Sequence, residues 1–204
     1  MNTKTKEAFE LEIQDHDPRM RESFELVGII NHLSDNFLKE IEGHKSVVYL
    51  IAETASLEKA KSISIATKIL LDSGGLGVKV ETAGKAFEIN HWIALVNNFE
   101  LGNLYDMFVV DNLTQPDGTV FTCGMHNLGL HDSIISSEEF PNAYNTLAIL
   151  GRYQVIEGVK IGDNQTFQTD LESPIFVINN ESNQPYISDE FFGNPFGMWR
   201  LTRR

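Results

Sequence analysis

Apolar positions recur at helical spacing in one long stretch of this chain and alternate, or run together, in several short ones. From Leu57, the series Ala60, Ile63, Ala66 and Leu70, with Ile69 filling the stripe, predicts a helix that Ser56 caps and Gly74 and Gly75 stop. Residues 47–52 are apolar at every position, the mark of a strand covered on both faces and central in a sheet. Leu76, Val78 and Val80 alternate with Gly77, Lys79 and Glu81, which predicts a second strand. Strand, helix and strand in this order predict a right-handed parallel unit. The Gly-Gly-x-Gly at residues 74–77 follows a helix and precedes a strand, the reverse of a phosphate-binding loop, and is read as a turn.

The remaining pattern is shorter in period. Residues 1–20 are polar and charged with no apolar period, so they read as a flexible acidic arm ended by Pro18. From Ser23 the run F-E-L-V-G-I-I predicts a short strand, and Ser34 or Asp35 caps a helix that turns Phe37, Leu38 and Ile41 to one side before Gly43. Phe87, Ile89, Trp92, Ile93 and Val96 predict a helix ending near Asn97 and Asn98, with His91 beside its apolar face. Residues 104–110 and 119–125 flank Gln115-Pro116-Asp117-Gly118 and predict an antiparallel hairpin. Ser136 and Glu139 have capping-box spacing, and Pro141 suits the first turn of a helix running to about Tyr153. Residues 155–161, 166–169 and 175–178 predict short strands, and Phe191, Phe192, Phe196 and Trp199 are expected to pack on the body.

These elements predict an α+β fold: a mixed sheet with the parallel strand–helix–strand unit and an antiparallel hairpin, helices packed on the sheet. The 204 residues suffice for one domain over 21–204, or two closely packed halves, 21–98 and 99–204. Hydrophobic content of 42% and charge of 22% are ordinary for a globular protein. No apolar run approaches the length of a membrane span, and the charged first 25 residues do not resemble a secretory signal. With one cysteine, Cys123, no internal disulfide forms, so the expectation is a soluble protein of the cytoplasm in which the Asn-x-Ser/Thr sequences at Asn112, Asn164 and Asn180 are chance. The charge of −13 is concentrated: residues 86–199 hold Arg152 and Lys160 against 15 acids, and residues 86–151 have no Lys or Arg at all. Such a surface repels phosphate backbones and anionic lipid. A basic protein is the expected partner, with no nucleic acid and no membrane.

Chemistry concentrates in residues 119–132, T-V-F-T-C-G-M-H-N-L-G-L-H-D, which gather the cysteine and two of six histidines. A metal reading takes His126, His131 and Asp132 as ligands in a bent loop, with Glu138 as a fourth. A spacing of five is not diagnostic, and the competing reading is a structural or solvent-facing loop. A thiol reading pairs Cys123 with His126. Against it, Phe121, Cys123 and Met125 share one strand face, where a cysteine behaves as a small buried hydrophobe. Gly124 and Gly129 mark positions of positive φ or close approach. No Gly-x-Ser-x-Gly elbow and no P-loop occurs.

The residues T-C-G-M-H-N-L-G-L from Thr122, with a proline-led helix about twenty residues on and the earlier strand, helix, Gly-Gly and strand, resemble the uncharacterised bacterial family named domain of unknown function 4261, over residues 47–169. The resemblance implies a compact α+β domain without assigned activity, sometimes associated with toxin and immunity gene neighbourhoods. No catalytic residue and no cofactor carries over. The leading expectation is a non-enzymatic cytoplasmic binding protein, of immunity type on that resemblance, and the alternative is a metal-dependent hydrolase using the loop at 123–132. The candidate binding residues are His126, His131 and Asp132 in the loop and Asp111 and Asp117 on the hairpin. With Asp106, Glu138 and Glu139, these hairpin acids are expected to form one negative surface with the loop.

Overall fold

The computed structural model of the protein describes residues 8–136 and 142–204. In chain order the elements are β1 (Glu10–Asp15), α1 (Met20–Val27), α2 (Asp35–Glu42), β2 (Ser46–Ile51), α3 (Leu57–Asp72), β3 (Gly77–Val80), β4 (Lys85–Glu88), α4 (Ile89–Asn97) and α5 (Leu101–Phe108). There follow β5 (Val110–Thr114), β6 (Thr119–Cys123), β7 (Asp132–Ser136), α6 (Ala143–Glu157), β8 (Gln165–Phe167), β9 (Phe176–Asn180) and β10 (Met198–Arg203). The fold is α+β. A six-stranded mixed sheet runs β5-β6-β7-β10-β9-β8, and two separate two-stranded sheets pair β1 with β2 and β3 with β4. Its one parallel pair is β7 with β10, and the chain between them makes α6, β8 and β9.

Side-chain burial follows from this layout. One face of the large sheet supports α6: Val120, Ile135, Phe176, Ile178, Trp199 and Leu201 pack with Ala143, Leu147 and Leu150. Phe121, Ile134 and Met198 alternate onto the other face. A second core joins α3, α4 and α5 to β3 and β4 around Trp92, whose indole N–H donates to the Ser64 carbonyl at 3.2 Å. A third binds α1 to α2 through Phe24, Phe37, Leu38 and Ile41. As expected, the Ser34 hydroxyl caps α2, Ser56 caps α3, and Gly74 ends the turn after α3 at φ +109°. The Gln115–Gly118 turn joins an antiparallel hairpin, closed by the Gly118 N–H donating to the Gln115 carbonyl at 3.0 Å.

Several expectations need correction. The parallel unit does not lie at residues 47–81. β2 pairs antiparallel with β1, and β3 turns straight back through Ala83 and Gly84 (φ +61°) into β4. A local turn closes a far shorter loop than a crossover does, and the sequence carries the required glycine. Pairing with β2 also shows that the expected arm over 1–20 is ordered from Glu10 to Asp15; residues 1–7 lie outside the described part. The expected strand at 24–30 is the end of α1 and a 3-10 turn over Ile29–Asn31, a helix with Phe24 as its buried residue. Residues 104–108 are helical in α5, so the first hairpin arm starts at Val110. Residues 155–157 finish α6 rather than begin a strand. The tail does more than pack on the body: Met198–Arg203 is an interior strand of the large sheet, while Phe191 and Phe196 stay exposed. The expected helix start at Pro141 and the Glu139 cap lie outside the described residues.

Candidate functional site

All five residues of β6 are buried, so the strand has no polar side, and Cys123 is 3% exposed. The chain leaves β6 at Gly124, φ +115°, where a Cβ would sit 1.9 Å from the Phe108 carbonyl oxygen; no other residue fits. A 3-10 turn, Met125–Leu128, follows, and Gly129 closes it at φ +74° with its α-carbon against the Ala55 carbonyl. Asn127, inside this turn, ties three segments together. Its carbonyl accepts from the Ala55 N–H at 3.0 Å, its Oδ1 from the Thr82 hydroxyl at 2.8 Å, and its amide donates to the Gly124 carbonyl at 3.0 Å. Asp132, at the start of β7, is a second knot. Its Oδ1 accepts from the Thr122 hydroxyl at 2.9 Å and from the Met125 N–H at 3.3 Å, and its Oδ2 from the Asn194 amide at 2.6 Å. Burial pushes this carboxyl up to about 7, against the pull of the Asn194 and Thr122 donors.

The predicted site residues are thereby dispersed. Asp132 is occupied by Thr122, Met125 and Asn194, and the His131 ring stacks on Trp199 at 4.3 Å between centroids. Both His126 nitrogens are shut from solvent and lie against the backbone of Thr82 and Phe191. Burial lowers the pKa of both histidines. Among the described residues no three His, Cys, Asp or Glu side chains are grouped to hold a metal ion. The Cys123 thiol faces the Phe192 carbonyl at 3.8 Å and has no hydrogen bond to His126, and burial pushes its pKa up.

The acids of the hairpin are also apart, because Asp111 lies at the base of β5 and Asp117 in the turn, a five-residue strand away. Asp111 accepts from the Tyr105 hydroxyl at 3.3 Å, and Asp117 from the Thr119 N–H at 2.9 Å, which lowers its pKa. The acid-only segment draws cations from just beyond its two ends. Arg152 pairs with Asp106 at 2.5 Å, and Lys85, 5% exposed, donates to the Asp106 and Val109 carbonyls at the C-terminal end of α5. Burial lowers Lys85 to about 8 despite Asp106 and Asp111 nearby.

At the surface beside the Met125–Leu128 turn lies a cleft of about 430 Å³ between residues 54–55, His126 and the loop before β10. Asp189 and Glu190 line it, and no basic side chain does. Ile187 and Phe196 form exposed apolar walls, and Phe191 is exposed on the same loop. The loop is fixed from within. The Asp189 carboxylate accepts from the Phe191 and Phe192 N–H groups at 2.8 and 2.9 Å, and the Asn194 amide bridges Asp132 and the Leu130 carbonyl. Ala55 borders the cleft at φ +63°, an unfavourable backbone for a residue with a Cβ, held there by its bond to Asn127. Of the candidate binding residues read from the sequence, His126 lines this cleft and His131, Asp132, Asp111 and Asp117 do not. Asp189, Glu190 and Asn194 were missed, though the turn-forming G-N-P-F-G at residues 193–197 marked a shaped loop there. No family model, curated protein or solved structure matches this chain.

Proposed function

We propose that the protein is a non-enzymatic, cytoplasmic binding protein whose partner is a basic protein, docked over the cleft beside His126. One observation carries this reading: a concave surface with apolar walls, Ile187 and Phe196, holds Asp189 and Glu190 without a basic side chain among its lining residues. His126, its pKa lowered by burial, is neutral at pH 7 and does not offset the two carboxylates. Apolar walls around charge suit a Lys or Arg, whose alkyl stem packs while its head meets a carboxylate. The net charge of −13 draws the same class of partner from a distance and repels nucleic acid. No helix among the described residues is long and apolar enough to cross a membrane. Kinship to domain of unknown function 4261, and with it an immunity-type role, belongs to the same proposal.

The test uses the purified protein as bait in a lysate of its source cells, followed by association kinetics with whatever it captures. The expected partner is basic, associates more slowly as salt rises, and is lost with Glu190→Lys, which changes an exposed residue. Capture of an acidic protein or of nucleic acid, or binding indifferent to both salt and Glu190→Lys, overturns the reading.

A further inference from the structure

A second cleft, of about 560 Å³, opens where the end of α6 and the segment after it meet β8 and β9. It shares no lining residue with the cleft beside His126, and its charge is the reverse: Lys160 lines it and no Asp or Glu does. Residues 86–199 hold two basic side chains, and the other, Arg152, is paired with Asp106. Among the described residues Lys160 takes part in no ion pair. The floor beneath it is apolar. Helix α6 supplies Leu150 and β9 supplies Ile178, both buried in the core between α6 and the large sheet, and Phe167 of β8 packs against that core. Tyr153 lies three residues beyond Leu150 on the same side of α6, exposed, with its ring centroid 6.5 Å from that of Phe167. Asn164 and Thr166 add an amide and a hydroxyl to the lining.

We infer that this cleft binds a small aromatic carboxylate, its ring against Tyr153 and Phe167 over Leu150 and Ile178 and its carboxylate at the Lys160 ammonium. Size, walls and charge each narrow the class. A cavity of this volume, with an apolar floor and a few polar groups at its edge, is of the kind that holds small organic molecules. The two aromatic walls favour a ring, since edge-to-face and offset contacts at centroid separations of about 4.5–7 Å add to the burial of apolar area. Aromatic walls also attract cations, and here Lys160 opposes them. One ammonium without a carboxylate in the same lining calls for one negative charge, and the Asn164 amide and Thr166 hydroxyl supply further donors to the carboxylate. A polyanion such as a nucleic acid or an acidic peptide brings further charge against the exposed Glu157 and Asp163, which flank Lys160 in the chain, and against the net charge of −13. A monoanion small enough to sit inside the cleft meets Lys160 at close range and escapes most of that repulsion.

Heteronuclear NMR of the isotope-labelled full chain tests the inference with three probes that share one apolar body: phenylpropionate, phenylpropionamide and phenylpropylammonium. The propionate should shift the backbone amide resonances of Phe167 and Ile178 with a Kd of about 1 mM or below and bind about fivefold tighter than the amide, with the ammonium compound weakest. Lys160→Gln should bring the propionate down to the affinity of the amide and leave the amide unaffected, whereas Lys45→Gln, an equal loss of charge at another exposed site, should keep the preference. Tyr153→Ala, also at an exposed position, should weaken propionate and amide alike, severalfold. Resonances outside the cleft report that each variant keeps its fold. No shift at Phe167 and Ile178 with any probe at about 10 mM, equal affinity for propionate and amide, tightest binding of the ammonium compound, or equal loss of the preference in Lys160→Gln and Lys45→Gln overturns the proposal.

Discussion

Asp132 is a carboxyl group surrounded by donors, and its protonation is where a single residue makes a measurable demand on the fold. Its folded pKa of about 7 lies above the ordinary 3.8, so the folded state holds a proton that the unfolded chain has released between those values. The resulting stability is full below pH 3.8 and is lost as pH rises through 7. A shift of this size corresponds to at most about 4 kcal/mol for a fully buried group. Asp132→Asn cannot titrate, and its amide sets a donor against the Asn194 amide, which adds a pH-independent cost of about 1–3 kcal/mol. Urea midpoints of the two proteins at several pH values between 4 and 7 should therefore show the advantage of the parent shrinking as pH rises; a constant difference would mean that Asp132 titrates normally. At this scale the sequence was readable for residues whose role is intrinsic. Gly124 and Gly129 need positive φ whatever surrounds them, and a cysteine between Phe121 and Met125 is buried by its neighbours. Asn127 and Asn194 were not readable, because an amide becomes a knot through partners 45 to 73 residues away for Asn127 and 62 to 64 away for Asn194.

Helix α3 shows what an apolar stripe conveys and where it stops. Its ends are set locally by Ser56 and the Ser73–Gly75 turn, and both matched expectation. Its inner face is rotated from the stripe: Ala60, Ser64 and Leu71 are buried, Leu57 and Ile63 pack at the edge, and Ile69 is 60% exposed. Ser64 misleads a hydrophobicity pattern, since its hydroxyl is satisfied by the Ala60 carbonyl at 2.8 Å and costs little to bury. Two aspartate substitutions separate the faces. Ala60→Asp puts an unpaired charge into the core and should cost several kcal/mol, whereas Ile69→Asp should stay within about 0.5 kcal/mol, both read from thermal or urea unfolding. Equal losses would show that the helix packs through its apolar stripe instead. Residues 104–108 failed differently, since L-Y-D-M-F suits a strand or a helix alike and tertiary contact decides. Leu104, Tyr105 and Met107 bury themselves among α3, α4 and the 3-10 turn, and Lys85 holds the carbonyls at the helix end.

Across the whole molecule, fold class followed from element types while topology did not, because the pairing of β7 with β10 depends on contacts some 66 residues apart that no local pattern encodes. Charge is the whole-molecule property that composition did convey, and it sets the response of stability to salt. With 29 acids against 16 bases, the compact state confines like charge that the unfolded chain disperses. The ion pairs that oppose this are largely partly exposed, such as Lys59 with Glu53 and Lys68 with Asp72, each worth no more than about 1 kcal/mol. Screening removes little from such pairs and more from the net repulsion, whose range exceeds contact distance. The melting temperature should accordingly rise as sodium chloride is raised from low ionic strength to about 0.15 M, where the Debye length falls to about 8 Å, and level off beyond it. Scanning calorimetry at several salt concentrations makes the measurement. A melting temperature that falls with salt would show that ion pairs such as Asp106 with Arg152 and Glu181 with Arg200 outweigh the net charge, and would locate the stabilising electrostatics at those contacts.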